Sequence, residues 1–166
     1  NSRIGKRACL DWQTRRRGVR KNVGGATSFT MSKVFLDTNV LVYAVDQAAP
    51  AKQLKARVAL KSLEREVTGA ISTQVLQEFY VVATKKLRIE PAAAKAMIRQ
   101  FDALELVLID RPLICEAIDC SAMDQLSFWD GLIIAAAQKA NCTELWTEDL
   151  NAGEVIRGVR VVNPFD

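Results

Sequence analysis

Four acidic residues stand where a predicted strand ends or a predicted helix begins. Asp37 follows an apolar run at 34–36, and Asp149 follows another short strand signal. Glu78 and Asp130 lie near the starts of helices that come after crossover connections. Ligands of an open α/β sheet bind beyond the carboxyl ends of its strands. We therefore expect all four carboxylates to face one edge of a sheet.

Clustered carboxylates of this kind predict a cation site. Two carboxylates about 4 Å apart repel each other by roughly 4 kcal/mol at an effective dielectric constant of about 20, so a cluster stays ionised only around a cation. Oxygen ligands without cysteine or histidine select Mg²⁺ or Mn²⁺. The chain contains no histidine, which excludes Ser-His-Asp and Cys-His nucleophilic sites. Any hydrolysis would therefore use carboxylates and an oxygen-ligated metal ion.

Three of these acids also fit a purely structural role. Asp is a favoured helix N-cap, and Asp37 stands directly before a predicted helix. Asp149 could cap a short helical segment that would end before Gly158. Asp130 follows Ser127 at the spacing of a capping box, and a helix N-terminus stabilises negative charge. Each acid alone is weak support for a metal site, and only their common placement favours one.

Glu78 has a different structural alternative. On a helix it shares a face with Val75 and Val82, which predicts that it points along the apolar side. An acid in that position is costly unless it is paired, hydrogen-bonded or bound to a cation. The alternatives to a cation are a carboxylate that reaches water and an ion pair with Lys85 or Lys86.

From Met31 onward, strand and helix signals alternate, which predicts one α/β domain over residues 31–166. Such alternation is typical of a parallel sheet covered by helices on both faces. The predicted strands are 34–36, 69–72, 106–109, 144–147 and 159–162. The predicted helices are 38–45, 50–66, 73–86, 91–103, 112–123 and 128–140.

Residues 1–30 differ from this body in charge. They carry eight basic residues and one acidic residue, whereas the remainder carries 15 basic and 18 acidic residues. We expect this leader to be disordered. It is either an inert remnant upstream of a natural start at Met31 or a basic arm for nucleic acid.

The cysteines argue against zinc and for a reducing compartment. None of the four forms a Cys-x-x-Cys pair, so a zinc site is not predicted. We expect them to pack as small apolar residues in the cytoplasm. No apolar run approaches the roughly 20 residues of a membrane helix. The four cysteines are Cys9, Cys115, Cys120 and Cys142.

Four fragments together resemble a known family. They are Leu-Asp-Thr-Asn-Val-Leu at 36–41, Gln-Glu-Phe at 77–79, Ser-Phe-Trp-Asp-Gly-Leu-Ile at 127–133 and Thr-Glu-Asp-Leu at 147–150. In order and spacing they are similar to the PIN-domain ribonucleases, and most of all to the VapC-type toxins of bacterial toxin–antitoxin pairs. The likeness spans roughly residues 33–165. Gly131 stands where that family often has alanine, which predicts a slightly looser helix start.

The resemblance implies a fold, an activity and partners. The implied fold is a three-layer α/β structure with about five parallel strands in the order 3-2-1-4-5. The implied activity is an Mg²⁺-dependent endoribonuclease, with Mn²⁺ as a possible substitute, that acts as a toxin. The implied partners are RNA, an antitoxin that covers the acidic site, and a second copy of the chain in a homodimer.

The same resemblance assigns roles to the candidate residues. Asp37 and Asp130 would hold the metal directly, and Glu78 and Asp149 would complete its shell, position water or accept its proton. Uncharged side chains would orient these acids or touch phosphate oxygen. These supporting residues are Thr38, Asn39 and Thr147.

Two other functions remain open at this stage. A catalytically silent module could bind RNA or protein through the same fold, because fold does not fix function. The presence of all four acids argues against it. A phosphotransfer domain of the haloacid-dehalogenase type would want Asp-x-Asp after the first strand, and Asn39 occupies the second place.

Two sets of side chains were assigned to possible surfaces. Five cations could line the rim of the acidic site and attract RNA, although we favour a plain solvated surface for them. Three apolar residues of the early helices could serve an interface, although we favour ordinary core. The cations are Lys52, Lys55, Lys85, Lys86 and Arg88, and the apolar residues are Leu54, Val58 and Tyr80.

Overall fold

The computed structural model describes residues 32–63 and 68–166. The predictions for residues 1–30, for Cys9 and for the end of the second helix at 66 lie outside these residues. The strands are β1 (Lys33–Leu36), β2 (Thr68–Ser72), β3 (Glu105–Val107), β4 (Glu144–Trp146), β5 (Val155–Ile156) and β6 (Val159–Val162). The helices are α1 (Thr38–Val45), α2 (Pro50–Ser62), α3 (Thr73–Lys85), α4 (Pro91–Gln100), α5 (Arg111–Asp124) and α6 (Phe128–Lys139).

The predicted α/β class and the order of the sheet are confirmed. The strands follow one another as β3-β2-β1-β4-β6-β5, and the ladders from β3 through to β6 are parallel. β6 is the predicted fifth strand. The order reverses between β1 and β4, so the two strands that carry Asp37 and Asp149 beyond their ends lie side by side.

The sheet has one strand that was not predicted. β5 pairs antiparallel with β6 through Val155 and Ile156, and Arg157 and Gly158 between them both have positive φ, 51° and 85°. Two such residues form the hairpin turn whose twist matches that of the strands. The short helix expected between Asp149 and Gly158 is therefore wrong. A two-residue strand gives no alternation in the sequence that could have predicted it.

The core lies where the helices cover β1. Val34, Phe35 and Leu36 are fully buried, because β1 is flanked on both sides and covered on both faces. The predicted helix 91–103 ends as an α-helix at Gln100 and continues as a 3₁₀ turn over Phe101–Ala103. None of the described helices combines the length and apolar character needed to cross a membrane.

α5 and α6 pack closely, and Gly131 makes that possible. A Cβ at this position would lie 2.7 Å from the backbone oxygen of Ala117 and 3.2 Å from the backbone nitrogen of Ser121. The sequence predicted only a slightly looser start of α6 and did not predict this contact. The missing side chain of Gly131 is a packing requirement between two helices.

The favoured core assignment for the early apolar residues is also wrong. Leu54 is 66% exposed and Val58 is 62% exposed on α2, and Tyr80 is exposed on α3. α2 buries only Ala56 fully among its residues. These residues therefore form part of the surface.

Candidate active site at the carboxyl edge of the sheet

Asp37 sits at the junction of β1 and α1 and is fixed from several directions. Its Oδ1 accepts a 2.6 Å hydrogen bond from the backbone N–H of Thr38, which makes it the N-cap of α1. Its Oδ2 accepts a 2.7 Å bond from the hydroxyl of Thr147. Its own N–H donates to the carbonyl of Trp146 at 3.1 Å. The predicted capping role is therefore real, and it coexists with a place at the sheet edge.

Asn39 connects two of the acids. Its Nδ2 lies 3.2 Å from an oxygen of Asp37, 3.2 Å from an oxygen of Asp149 and 3.1 Å from the hydroxyl of Thr147. Its Oδ1 is buried and has no hydrogen-bond partner among the residues that the structure describes. One amide nitrogen thus bridges carboxylates from the ends of β1 and β4, and one amide oxygen is left unused beside them.

Glu78 is brought to the same edge by α3. The hydroxyl of Thr38 donates to its Oε2 at 2.7 Å, and the amide of Gln74 donates to its Oε1 at 3.0 Å. The ion pairs within the described part of the chain do not include Glu78. The predicted alternative of a pair with Lys85 or Lys86 is therefore wrong, because neutral donors hold the carboxylate.

The pKa of Asp37 reflects its burial and its closeness to Asp149 and Glu78. Burial raises the pKa of Asp37 from 3.8 to about 6, and the negative charges of Asp149 and Glu78 add to the rise. The hydrogen bonds from Thr147 and Thr38 oppose it. Asp37 is therefore held in a negative environment that a bound cation would relieve.

Asp130 is positioned differently from the other three acids. The hydroxyl of Ser127 donates to its Oδ2 at 2.6 Å and accepts from its N–H at 3.1 Å. Ser127 is thus the N-cap of α6, and the predicted capping arrangement is present. The hydrogen bonds of Asp130 in the structure stay within its own helix start. They do not join it to Asp37, Glu78 or Asp149.

The arrangement can hold a cation through oxygen atoms. In residues 32–63 and 68–166, no group of three or more acidic, cysteine or histidine side chains is close enough to form a ready metal cage. Mg²⁺ does not need one, because it usually retains several waters and binds one or two carboxylates. The negative setting of Asp37 and the unpartnered oxygen of Asn39 fit such an ion.

One cation at the rim is already engaged. The ammonium group of Lys52 forms an ion pair with Glu148, next to Asp149 in the chain, and donates to the hydroxyl of Tyr43 at 3.1 Å. It also lies 4.4 Å from the centre of the Tyr43 ring, and the ring of Phe165 packs edge-on against Tyr43. Lys52 remains partly exposed, and its ion pair with Glu148 ties α2 to the loop of Asp149.

Sequence reasoning missed Gln74. It is 5% exposed, and it is the donor that holds the Oε1 atom of Glu78. The available signal was its position four residues before Glu78 on a helix, where an amide and a carboxylate meet.

A family comparison agrees with this geometry. A model of the PIN domain family matches residues 34–157, which is most of the chain. No curated protein matches it.

Solved structures with the same fold include three bacterial proteins. VapC20 of Mycobacterium tuberculosis, described as a toxin that cleaves the sarcin–ricin loop, is 20% identical, with a TM-score of 0.58 over 70% of this chain and 89% of that protein. A toxin–antitoxin complex from Klebsiella pneumoniae is 22% identical, with a TM-score of 0.59 over 79% and 97%. VapBC2 of Rickettsia felis, bound to promoter DNA, is 20% identical, with a TM-score of 0.56 over 78% and 96%.

At such identities these structures establish similarity of fold. The family model, the strand order and the acids at the switch point agree with one another. This chain belongs to the PIN-domain family.

Proposed function

We propose that this protein is a metal-dependent endoribonuclease that hydrolyses RNA phosphodiester bonds as the toxin of a toxin–antitoxin pair. One observation carries the proposal. Asp37 and Asp149 stand beyond the ends of adjacent strands and share the amide nitrogen of Asn39 at 3.2 Å each, and Thr38 bonds both Asp37 and Glu78. A protein gains nothing in stability from such a concentration of negative charge, so we infer that the charge serves a ligand.

The ligand that fits is Mg²⁺, with Mn²⁺ as a substitute, because only oxygen donors are offered. Asp37 and Asp130 would hold it, and Glu78 and Asp149 would complete its surroundings. A bound ion of this kind supplies charge neutralisation at the phosphate and a more acidic water molecule.

The protein's own residues orient the reacting groups. Thr147 and the Thr38 N–H fix both oxygens of Asp37, so its rotamer is set before any substrate arrives. Asn39 donates to one oxygen of Asp149 at 3.2 Å. Asp149 is the better candidate to accept a proton from an attacking water, because both oxygens of Glu78 already accept hydrogen bonds.

RNA cleavage by the purified protein tests this proposal. The protein is incubated with total RNA and Mg²⁺, beside the Asp37→Asn variant and a sample with EDTA. Asp119→Asn, an exposed acid on α5, is the matched control and should cleave like the wild type. Equal cleavage by the wild type, Asp37→Asn and the EDTA sample would reveal a contaminant and remove the proposal.

The alternative is a catalytically silent PIN domain that binds RNA or a protein. It predicts retained RNA binding without cleavage at any Mg²⁺ or Mn²⁺ concentration. The same assay, followed by a binding measurement on the uncleaved RNA, separates the two functions.

We propose an antitoxin and a second copy of the chain as partners. Two of the similar structures are described as a toxin–antitoxin complex and as VapBC2, and the exposed apolar residues Leu54 and Val58 on α2 offer a surface for such a partner. Co-expression with the product of the neighbouring upstream reading frame tests for the antitoxin.

Analytical ultracentrifugation tests for the homodimer. A monomer at all concentrations would contradict the homodimer.

A further inference from the structure

Gln74 is a buried amide whose hydrogen bonding is incomplete. It occupies the second position of α3 and is 5% exposed. Its Nε2 donates to Glu78 at 3.0 Å, whereas its Oε1 is buried without a hydrogen-bond partner. Buried polar atoms are nearly always paired, so an unpaired one in a folded protein requires an explanation.

The chemistry of Glu78 explains which end of the amide is satisfied. An ionised carboxylate only accepts hydrogen bonds, so the amino end of Gln74 must face it. The carbonyl end is then left without a donor from residues 32–63 or 68–166. A methionine would fill a similar space without burying an unpaired oxygen. The amide is therefore present for its bond to Glu78 and not for its own packing.

Gln74 and Thr38 hold the carboxylate from two sides. The Thr38 hydroxyl donates to Oε2 at 2.7 Å and Gln74 donates to Oε1 at 3.0 Å. The two donors come from α1 and α3, so they fix the carboxylate relative to both helices. That location matters because the charge of Glu78 acts on Asp37.

We propose that Gln74 is a positioning residue of the active site, which acts through Glu78 by holding its carboxylate against Thr38 and near Asp37. The inference rests on the proposed metal-dependent function. It adds a residue that sets how well the site binds its cation without touching the cation itself. Partners that orient metal-binding side chains commonly change metal affinity by about 10–100-fold when they are removed.

The test measures Mn²⁺ binding to the otherwise metal-free protein by calorimetry. Gln74→Met keeps an unbranched side chain of similar size and removes the donor. Gln77→Met makes the same change at an exposed position of the same helix and is the matched control. Both changes are also made in a Glu78→Ala background, and thermal unfolding in EDTA monitors the fold of every variant.

We expect Gln74→Met to weaken Mn²⁺ binding by about 10–100-fold and Gln77→Met to leave it unchanged. In the Glu78→Ala background, Gln74→Met should cause no further loss, because the group through which it acts is gone. A purely structural role would weaken binding by the same factor in both backgrounds.

Three further results would overturn the inference. Equal Mn²⁺ affinity of the wild type and Gln74→Met would overturn the positioning role of Gln74 and leave the proposed function intact. A wild-type protein that binds no Mn²⁺ would overturn the proposed function and this inference with it. If neither Gln74→Met nor Gln74→Leu folds, the amide is needed for folding itself and the positioning role is wrong.

Discussion

Replacing Asp37 by Asn should stabilise the metal-free protein. The pKa of Asp37 rises from 3.8 to about 6 on folding, with burial as the largest cause. The folded state therefore holds this proton more tightly than the unfolded state, and stability falls as pH rises from about 4 to about 6. A difference of about two pKa units corresponds to about 3 kcal/mol, and this cost is fully present above pH 6.

Asparagine removes the charge and keeps the cap of α1. It caps helices about as well as Asp, so the bond from the Thr38 N–H should survive. The hydrogen bonds that Thr147 and Asn39 donate to Oδ2 of Asp37 are lost, because the amide nitrogen that replaces this oxygen only donates. Their loss makes about 3 kcal/mol an upper limit. We expect Asp37→Asn to be about 1–3 kcal/mol more stable than the wild type at pH 8 in EDTA. The difference in free energy of unfolding between Asp37→Asn and the wild type should be about 1.4 kcal/mol smaller at pH 5, where folded Asp37 is largely protonated.

Urea unfolding at a series of pH values measures this difference, with Asp119→Asn as the exposed control. Mg²⁺ at 100 times its Kd should remove most or all of this difference, since it stabilises the wild type by about 2.7 kcal/mol. Mg²⁺ should stabilise the Asp37→Asn variant much less. A variant that is less stable than the wild type at pH 8 in EDTA, with a gap that does not change with pH, would refute the reasoning.

Three further predictions concern packing, the rim and the cysteines. Gly131→Ala should destabilise the protein by about 1–3 kcal/mol in urea unfolding despite the better helix propensity of alanine, because the new Cβ meets backbone of α5; an increase in stability would contradict this. Lys52→Met should cost less than about 1 kcal/mol at low salt and less than that at high salt, where the pair with Glu148 is screened and only the contacts with Tyr43 remain; an equal cost at both salt concentrations would argue against it. Iodoacetamide should label exposed Cys115 in the native protein and spare Cys142, because burial raises the pKa of the Cys142 thiol to about 12; mass spectrometry that finds both labelled at equal rates would refute this.

The fold could be predicted from the sequence because its signals are local. Apolar runs that end in a polar residue gave β1 and β4, and Pro50 and Pro91 marked the first turns of α2 and α4. β5 could not be predicted, because two residues carry no period. The exposure of Leu54 and Val58 could not be predicted for a different reason. An apolar stripe shows that a helix has an apolar face and does not show whether the rest of the chain covers that face.

The candidate site could be predicted from the sequence only in part. The ends of parallel strands are neighbours by topology, so the proximity of Asp37 and Asp149 followed from the strand order. The hydrogen bonds that fix them did not, because Asn39 and Thr147 act through contacts between residues 108 and 110 positions apart in the chain. The close approach of α6 to α5 likewise depends on a backbone atom, which no residue pattern reveals.

The pairing of β1 with β4 has a consequence for biosynthesis. Val34 lies opposite Glu144, and Phe35 lies opposite Leu145, so the centre of the sheet joins segments that lie far apart in the chain. A ribosome must release β4 before this ladder can close, and distant pairings of this type are slow to form. Until then, a nascent chain carries Asp37 and Asn39 without Asp149 for Asn39 to hold. Any activity that requires both acids begins only after the segment with Asp149 has been made.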